Sequence, residues 1–216
     1  SFRTQSNEAW QHHFDEVINT TDMNTGRIVN FRMRYFDIRF SNICNFKCRT
    51  CGSAFSSKWE QEDLESREQT GLPMYAIELE KGNRKDFILE VLKQVPNFEV
   101  AYFAGGEPLI TDEHYMLIDE MIKKKKTDIQ LRYNTNISNF KYKKRDIFKL
   151  WDHFEQPVQI YASIDHMGEK AEYIRHGTKW KTIETNLKKL KKAKNVNFQV
   201  NTVYSIFNAL TISHFY

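Results

Sequence analysis

The residues best able to do chemistry lie close together: Cys44, Cys48 and Cys51, in the run Ser41-Asn-Ile-Cys44-Asn-Phe-Lys-Cys48-Arg-Thr-Cys51-Gly52, are the three cysteines of the 216-residue chain. A loop that carries three thiolates at this spacing can fold them inward around one metal centre, and thiolates are the soft ligands that iron–sulfur clusters and zinc prefer. In a 4Fe-4S cube each iron normally takes one cysteine, so three cysteines leave one iron open to another ligand. A structural zinc site needs four closed ligands, and none of His12, His13 or His114 stands at a zinc-finger spacing from these cysteines.

A second constellation is Ala104-Gly105-Gly106-Glu107-Pro108. Paired glycines let the backbone turn tightly and approach a ligand, proline ends a strand, and a carboxylate can meet a cationic amine. Read alone, this is equally an ordinary strand-to-helix turn. Together, the CxxxCxxC loop and the GGEP turn resemble the signature of the radical S-adenosylmethionine (SAM) superfamily. The resemblance implies that Cys44, Cys48 and Cys51 hold three irons of a 4Fe-4S cluster. It also implies that Gly105, Gly106, Glu107 and Pro108 receive the amino group of SAM. Many members carry an aromatic residue just before the last cysteine, where this chain has Thr50; the loop's aromatic is Phe46 instead, the candidate to flank the adenine.

Polar residues at strand ends complete the candidate set: Asn134, with Thr135 and Asn136 after it, on the third strand, Ser163 and Asp165 on the fourth, Asn201 followed by Thr202 on the fifth. Each could also cap the helix that follows. The stretches Ala162-Ser-Ile-Asp165, Tyr173-Ile-Arg175-His-Gly177 and Phe198-Gln-Val-Asn201 are similar to the SPASM- or twitch-bearing branch of the superfamily. That likeness implies that Ser163 and Arg175 hold the SAM carboxylate and that Asn201 reaches the ribose. A guanidinium can grip a carboxylate through a bidentate fork, so the charge logic agrees.

These residues need elements to position them. Runs rich in Val, Ile, Phe and Tyr predict strands at 35–41, 98–104, 129–134, 158–164 and 196–204, and helical patterns lie between them at 53–68, 86–95, 112–126, 143–154 and 178–194. Strand alternating with helix implies a parallel sheet and an α/β fold. With the resemblance, the expected fold is a partial (β/α)6 TIM-like barrel, truncated before the sixth strand. Functional groups of such a barrel gather at the C-terminal ends of its strands. Residues 1–34 are expected to form an N-terminal appendage, 35–216 the core barrel, and about 69–85 an insertion. The chain begins at Ser1 rather than Met and stops after a helix start expected at Asn208, which suggests a trimmed or incomplete chain.

Composition sets the remaining bounds. The chain is 40% hydrophobic, enough for one core, with three clustered cysteines that do not make a disulfide framework. No segment has the length of a membrane span or the pattern of a signal peptide, so the expectation is a soluble, cytoplasmic protein. The formal net charge is +4, with basic clusters at 123–126, 141–149 and 188–194. These read as solvated helix faces rather than a nucleic-acid surface. The resemblance implies further partners: an electron donor such as flavodoxin or ferredoxin, and a substrate that is a peptide or protein, or else a nucleotide or sugar. Outside the enzyme class, the alternative is a non-catalytic metal or nucleic-acid binding module.

Overall fold

Period-two alternation decides which side of each strand meets the core. The computed structural model describes residues 4, 8–29, 31–70 and 84–215. Five strands form one sheet: β1 (Tyr35–Ile38), β2 (Val100–Phe103), β3 (Gln130–Thr135), β4 (Val158–Ser163) and β5 (Val196–Asn201). All four pairings are parallel, and the strands lie in chain order. Helices fill the connections: α1 (Glu60–Thr70) and α2 (Arg84–Gln94) before β2, α3 (Asp112–Lys123) before β3, α4 (Ile147–Trp151) before β4, and α5 (Gly168–Ile174) with α6 (Trp180–Lys192) before β5.

Only one face of this sheet is dry. Ile38, Phe103, Tyr133 and Ile160 share one register row and are buried, packing with Leu117, Ile118 and Met121 of α3, Trp151 of α4 and Ile183 of α6 in one core. The alternate row, Asp37, Tyr102, Arg132, Gln159 and Asn197, is half-buried or exposed. A doubly wound sheet would bury both faces and read as continuous apolar runs; a singly covered sheet with a polar inner face is the barrel arrangement.

Several expected boundaries shift. Helix 53–68 gives way to turns up to Ser56 and a 3-10 turn at Ser57–Trp59, with the α-helix starting only at Glu60. Ser56 caps that 3-10 turn through its side chain, and serine favours such caps over helix interiors. Helix 143–154 contracts to Ile147–Trp151, because a two-residue hairpin pairs Lys141–Tyr142 with Arg145–Asp146 and Asp146 caps the helix. Helix α5 lies where the sequence reading had only a motif. At Asn208 there is no regular helix: its side chain donates to Asp165 O (3.1 Å) and Val203 O (2.9 Å), and turns follow to a 3-10 turn at Ile212–His214. Most of the insertion expected at 69–85 lies outside the described residues.

The chain divides into two compact units, Ser1–Met33 and Arg34–Tyr216. In the smaller, a 3-10 turn (Gln11–His13) leads into the short helix Phe14–Asn19, and Thr21 bridges Ile28 across a turn where Asp22 accepts from the backbone of Asn24 and Thr25. The sheet and its helices belong to the larger. Among the described residues, no helix is long and apolar enough to cross a membrane.

Candidate functional site

The cysteine loop leaves β1 and is clamped from several sides. Ser56 Oγ donates to Phe46 O at 2.6 Å, Trp59 Nε1 to Cys48 O at 3.1 Å, and Cys51 N to Cys48 O at 3.1 Å. Lys47–Cys48 pairs antiparallel with Arg175–His176, and Arg49 N donates to Ile174 O at 2.8 Å. Gly177, at φ +102°, lies so close that a Cβ there would meet Asn45 O at 3.0 Å. A loop that sequence alone leaves unsupported is thus held by a segment more than a hundred residues downstream.

The GGEP turn clamps the opposite side. Gly106 N donates to Ser41 O (3.0 Å) and Glu107 N to Ile43 O (2.8 Å). A Cβ on Gly106 would sit 2.1 Å from Ile43 O, so only glycine lets the two backbones approach this closely. Glu107 is buried with both carboxylate oxygens in use: Oε1 accepts from Thr135 Oγ1 (2.7 Å) and Leu109 N (3.2 Å), Oε2 from Asn136 N (2.7 Å). Burial pushes its carboxyl up to about 7 against the pull of these donors. Asn136 in turn donates to Asn45 Oδ1 at 2.9 Å. The next residue, Ile137, holds φ +50°, a costly conformation for a β-branched side chain, with its carbonyl accepting from Asn186 Nδ2 at 2.8 Å.

The three cysteines, free of disulfides, open on one cavity of about 320 Å³. Burial pushes the Cys48 thiol up to about 11, and raises Cys44 and Cys51 as well. Thiols held protonated by burial become thiolates when a cation takes the proton's place. Among the described residues the cavity wall holds no histidine and no carboxylate, so the donor set there is three sulfurs, which suits a 4Fe-4S cluster with one open iron rather than a closed zinc site.

The cavity brings together most of the expected residues. Phe46, Gly105, Gly106, Asn134, Ser163, Arg175 and Asn201 line it with the cysteines, and Ser163 stands opposite Asn201 in the β4–β5 register. Glu107, Pro108 and Asp165 do not. Pro108 is buried as the first residue of a 3-10 turn, and Asp165 sits behind Arg175. Arg175 Nη2 donates to Asp165 Oδ1 at 2.9 Å, and its Nε lies 2.9 Å from Oδ2 without the alignment of a second hydrogen bond. Arg175 Nη1 reaches Cys48 Sγ at 3.9 Å. Phe46 is 2% exposed and part of the core; the aromatic with an open face on the cavity is Phe55, 50% exposed.

A model of the radical SAM superfamily matches residues 38–215. The chain belongs to the radical SAM superfamily. Membership implies a 4Fe-4S cluster and SAM as the cofactors of this radical SAM chain. No curated protein matches it. Among solved structures, one described as native anSMEcpe with bound AdoMet aligns over 83% of this chain and 46% of its own, at 19% identity and a TM-score of 0.56. That identity supports a shared fold, and the radical SAM chain spans less than half the length of that structure.

The cavity of this radical SAM chain also includes Thr135 and Asn136, expected at the end of the third strand, and Arg39, Thr50, Phe55, Ser56, Ala104 and Val203, which the sequence reading missed. Arg39 could have been found by continuing the alternation of β1. Phe55 and Ser56 carry no signal of their own in the sequence.

Proposed function

We propose that residues 35–216 form the catalytic core of a radical SAM enzyme, with 1–34 as an appendage, and that Cys44, Cys48 and Cys51 hold the cluster. The observation that carries this is the convergence of three thiols, Cys48 buried and Cys44 and Cys51 half-buried, on one cavity, with the glycine turn on one wall and Arg175 on the other. A cluster held by Cys44, Cys48 and Cys51 would, with an external electron donor such as flavodoxin or ferredoxin, supply the one-electron reductive cleavage of SAM on which hydrogen abstraction from the substrate depends.

The chain's own residues bind, orient and exclude water. Gly105 and Gly106 present backbone to the amino group of SAM, with Glu107 behind them as the buried carboxylate that fixes the turn. Ser163 offers a hydroxyl, and Arg175 a guanidinium aimed by Asp165, to its carboxylate. Asn201 and Asn134 face the ribose, and Phe55 rather than Phe46 offers its ring to the adenine. The likeness of the Tyr173–Gly177 and strand-four stretches to SPASM- or twitch-bearing members favours a peptide or protein substrate. The AdoMet held by the structural neighbour agrees with the cofactor assignment.

Anaerobic reconstitution with iron and sulfide, followed by reduction in the presence of SAM, tests this reading. The expected product is 5′-deoxyadenosine, with about four irons per chain, the number set by a 4Fe-4S centre. Retention of iron and SAM cleavage after Cys44, Cys48 and Cys51 are all changed to alanine overturns it.

A further inference from the structure

The inner face of the sheet carries a charge that the cofactor site does not use. Asp37, Tyr102, Arg132 and Gln159 are neighbours in one register row; Asn134, Tyr161 and Gln199 form the next row toward the strands' C-terminal ends. Two arginines point into this space. Arg39 is neutralised, its Nε and Nη2 donating to the two oxygens of Asp37 at 2.9 and 3.0 Å. Arg132 is half-buried and, among the described residues, makes no hydrogen bond or ion pair. A guanidinium carries five N–H donors, and one withdrawn this far from water is ordinarily matched by acceptors.

Aromatic side chains share its face of the sheet. Tyr102 and Tyr161 stand on the strands either side of β3, which are about 9.6 Å apart at ordinary strand spacing. Their ring centroids are only 6.5 Å apart, edge to face. The two rings therefore lean toward each other over β3, beside Arg132. Neither hydroxyl makes a hydrogen bond among the described residues, and burial holds Tyr102 above the usual phenol range, so it remains an O–H donor at neutral pH. The inner face thus carries one cation, whose charge is felt by the phenol of Tyr35, next to the paired rings of Tyr102 and Tyr161. Asn134, two residues further along β3 and about 7 Å away at extended rise, already lines the cofactor cavity.

We propose that Arg132, with Tyr102 and Tyr161, is an anion-binding subsite that anchors the substrate through a carboxylate or phosphate group. This rests on the radical SAM reading, and it narrows the substrate class to molecules, peptides included, with a negative group within reach of the reacting carbon. Arg132 sets which substrates stay; the cofactor cavity sets what happens to them. A cationic substrate meets the wrong sign here, because Asp37 is already spent on Arg39.

The test uses two dianions, malonate and inorganic phosphate, each titrated at fixed ionic strength against chloride, with the thermal unfolding temperature as readout. The wild-type chain is expected to rise saturably with one or both, by about 3 °C at about ten times the dissociation constant. A response to malonate alone identifies a carboxylate as the anchor, and a response to phosphate alone a phosphate. Arg132→Gln should weaken the apparent affinity at least tenfold, Arg132→Lys should keep part of it, and Tyr102→Phe combined with Tyr161→Phe should weaken it severalfold. Lys191→Gln, on the solvated face of α6, should respond like wild type. No wild-type shift with either dianion, or an undiminished shift in Arg132→Gln, overturns the subsite. Iron content and SAM cleavage of the wild-type chain read the other claim. A chain that cleaves SAM without an anion response loses only this inference, and one that responds to anions but holds no iron loses only the cofactor assignment.

Discussion

Asp165 holds Arg175 at the edge of the cysteine cavity: the carboxylate is fully enclosed, Oδ1 takes Arg175 Nη2 at 2.9 Å, and the same oxygen accepts from Val203 N at 2.9 Å. One carboxylate therefore ties strand four's end to the segment after β5 and aims a guanidinium at Cys48. Asp165→Ala leaves that guanidinium enclosed and unpaired, and should cost about 3–5 kcal/mol in urea unfolding. Asp165→Asn, which keeps an acceptor for Val203 N, should cost less. A change below about 0.5 kcal/mol for alanine, the range of an ordinary surface substitution, would remove the pair from this account.

Gly106→Ala tests the clamp on the cysteine loop. The added methyl would stand 2.1 Å from the carbonyl oxygen of Ile43, a backbone atom that can move only with the loop. The expected result is a severalfold drop in iron retained after reconstitution, with stability lower by about 1–3 kcal/mol from overpacking. Gly52→Ala, beside the same loop but with open space around its Cβ, should retain iron like wild type. Equal iron in the two variants would show that the contact does not shape the site.

Glu107 should make the metal-free chain less stable as pH rises. Its carboxyl titrates at about 7 in the folded chain against 4.5 unfolded, because burial disfavours the charge. Between these values the folded state keeps a proton that the unfolded state has lost, so the Glu107 contribution to stability falls with rising pH, by about 3 kcal/mol across the window. In Glu107→Gln this contribution is absent and only the opposite dependence of His114, described next, remains, while stability drops because the amide cannot accept from all three donors. The difference in urea midpoint between wild type and Glu107→Gln at pH 5, 6 and 7.5, which should shrink as pH rises, decides it.

His114 has the opposite sign. It is fully buried among Phe103, Tyr115 and Tyr133, with Nε2 2.9 Å from Tyr133 Oη, and burial depresses it from 6.5 to about 3. The unfolded chain takes up a proton below 6.5 that the folded chain refuses, so this contribution is lost as pH falls from 6.5 toward 3. Between 4.5 and 6.5 the two groups should nearly cancel, leaving the wild-type stability flat. His114→Phe should then gain stability on acidification through that range, and Glu107→Gln should lose it. Parallel pH profiles for the two variants would refute the assignment.

The sheet was largely legible in the sequence because its information is local. Each strand announces itself by β-branched and aromatic runs, and helical patterning between runs implies parallel pairing. The ends were less legible: Ser56 and Asp146 cap helices later than periodicity suggests, since a side-chain hydrogen bond to the backbone competes with one more helical turn. Phe46 and Phe55 show the same limit within the site. Both are aromatics near the cysteines that line the cavity, and only packing says that the first is buried in the core and the second half exposed.

The sequence by itself determined that three thiols share one loop, that a glycine pair and a carboxylate follow the second strand, and that the frame is α/β. Ligand spacing along a short loop survives whatever the rest of the chain does, so three cysteines within eight residues already imply a common centre. Tertiary structure alone decided the walls of that centre: Arg175 beside Cys48, 127 positions away, Asn136 between Glu107 and Asn45, and Arg132 left with its charge unmatched on the inner face. Those juxtapositions depend on strand register, which is fixed by burying one face of the sheet, and no single segment carries that information.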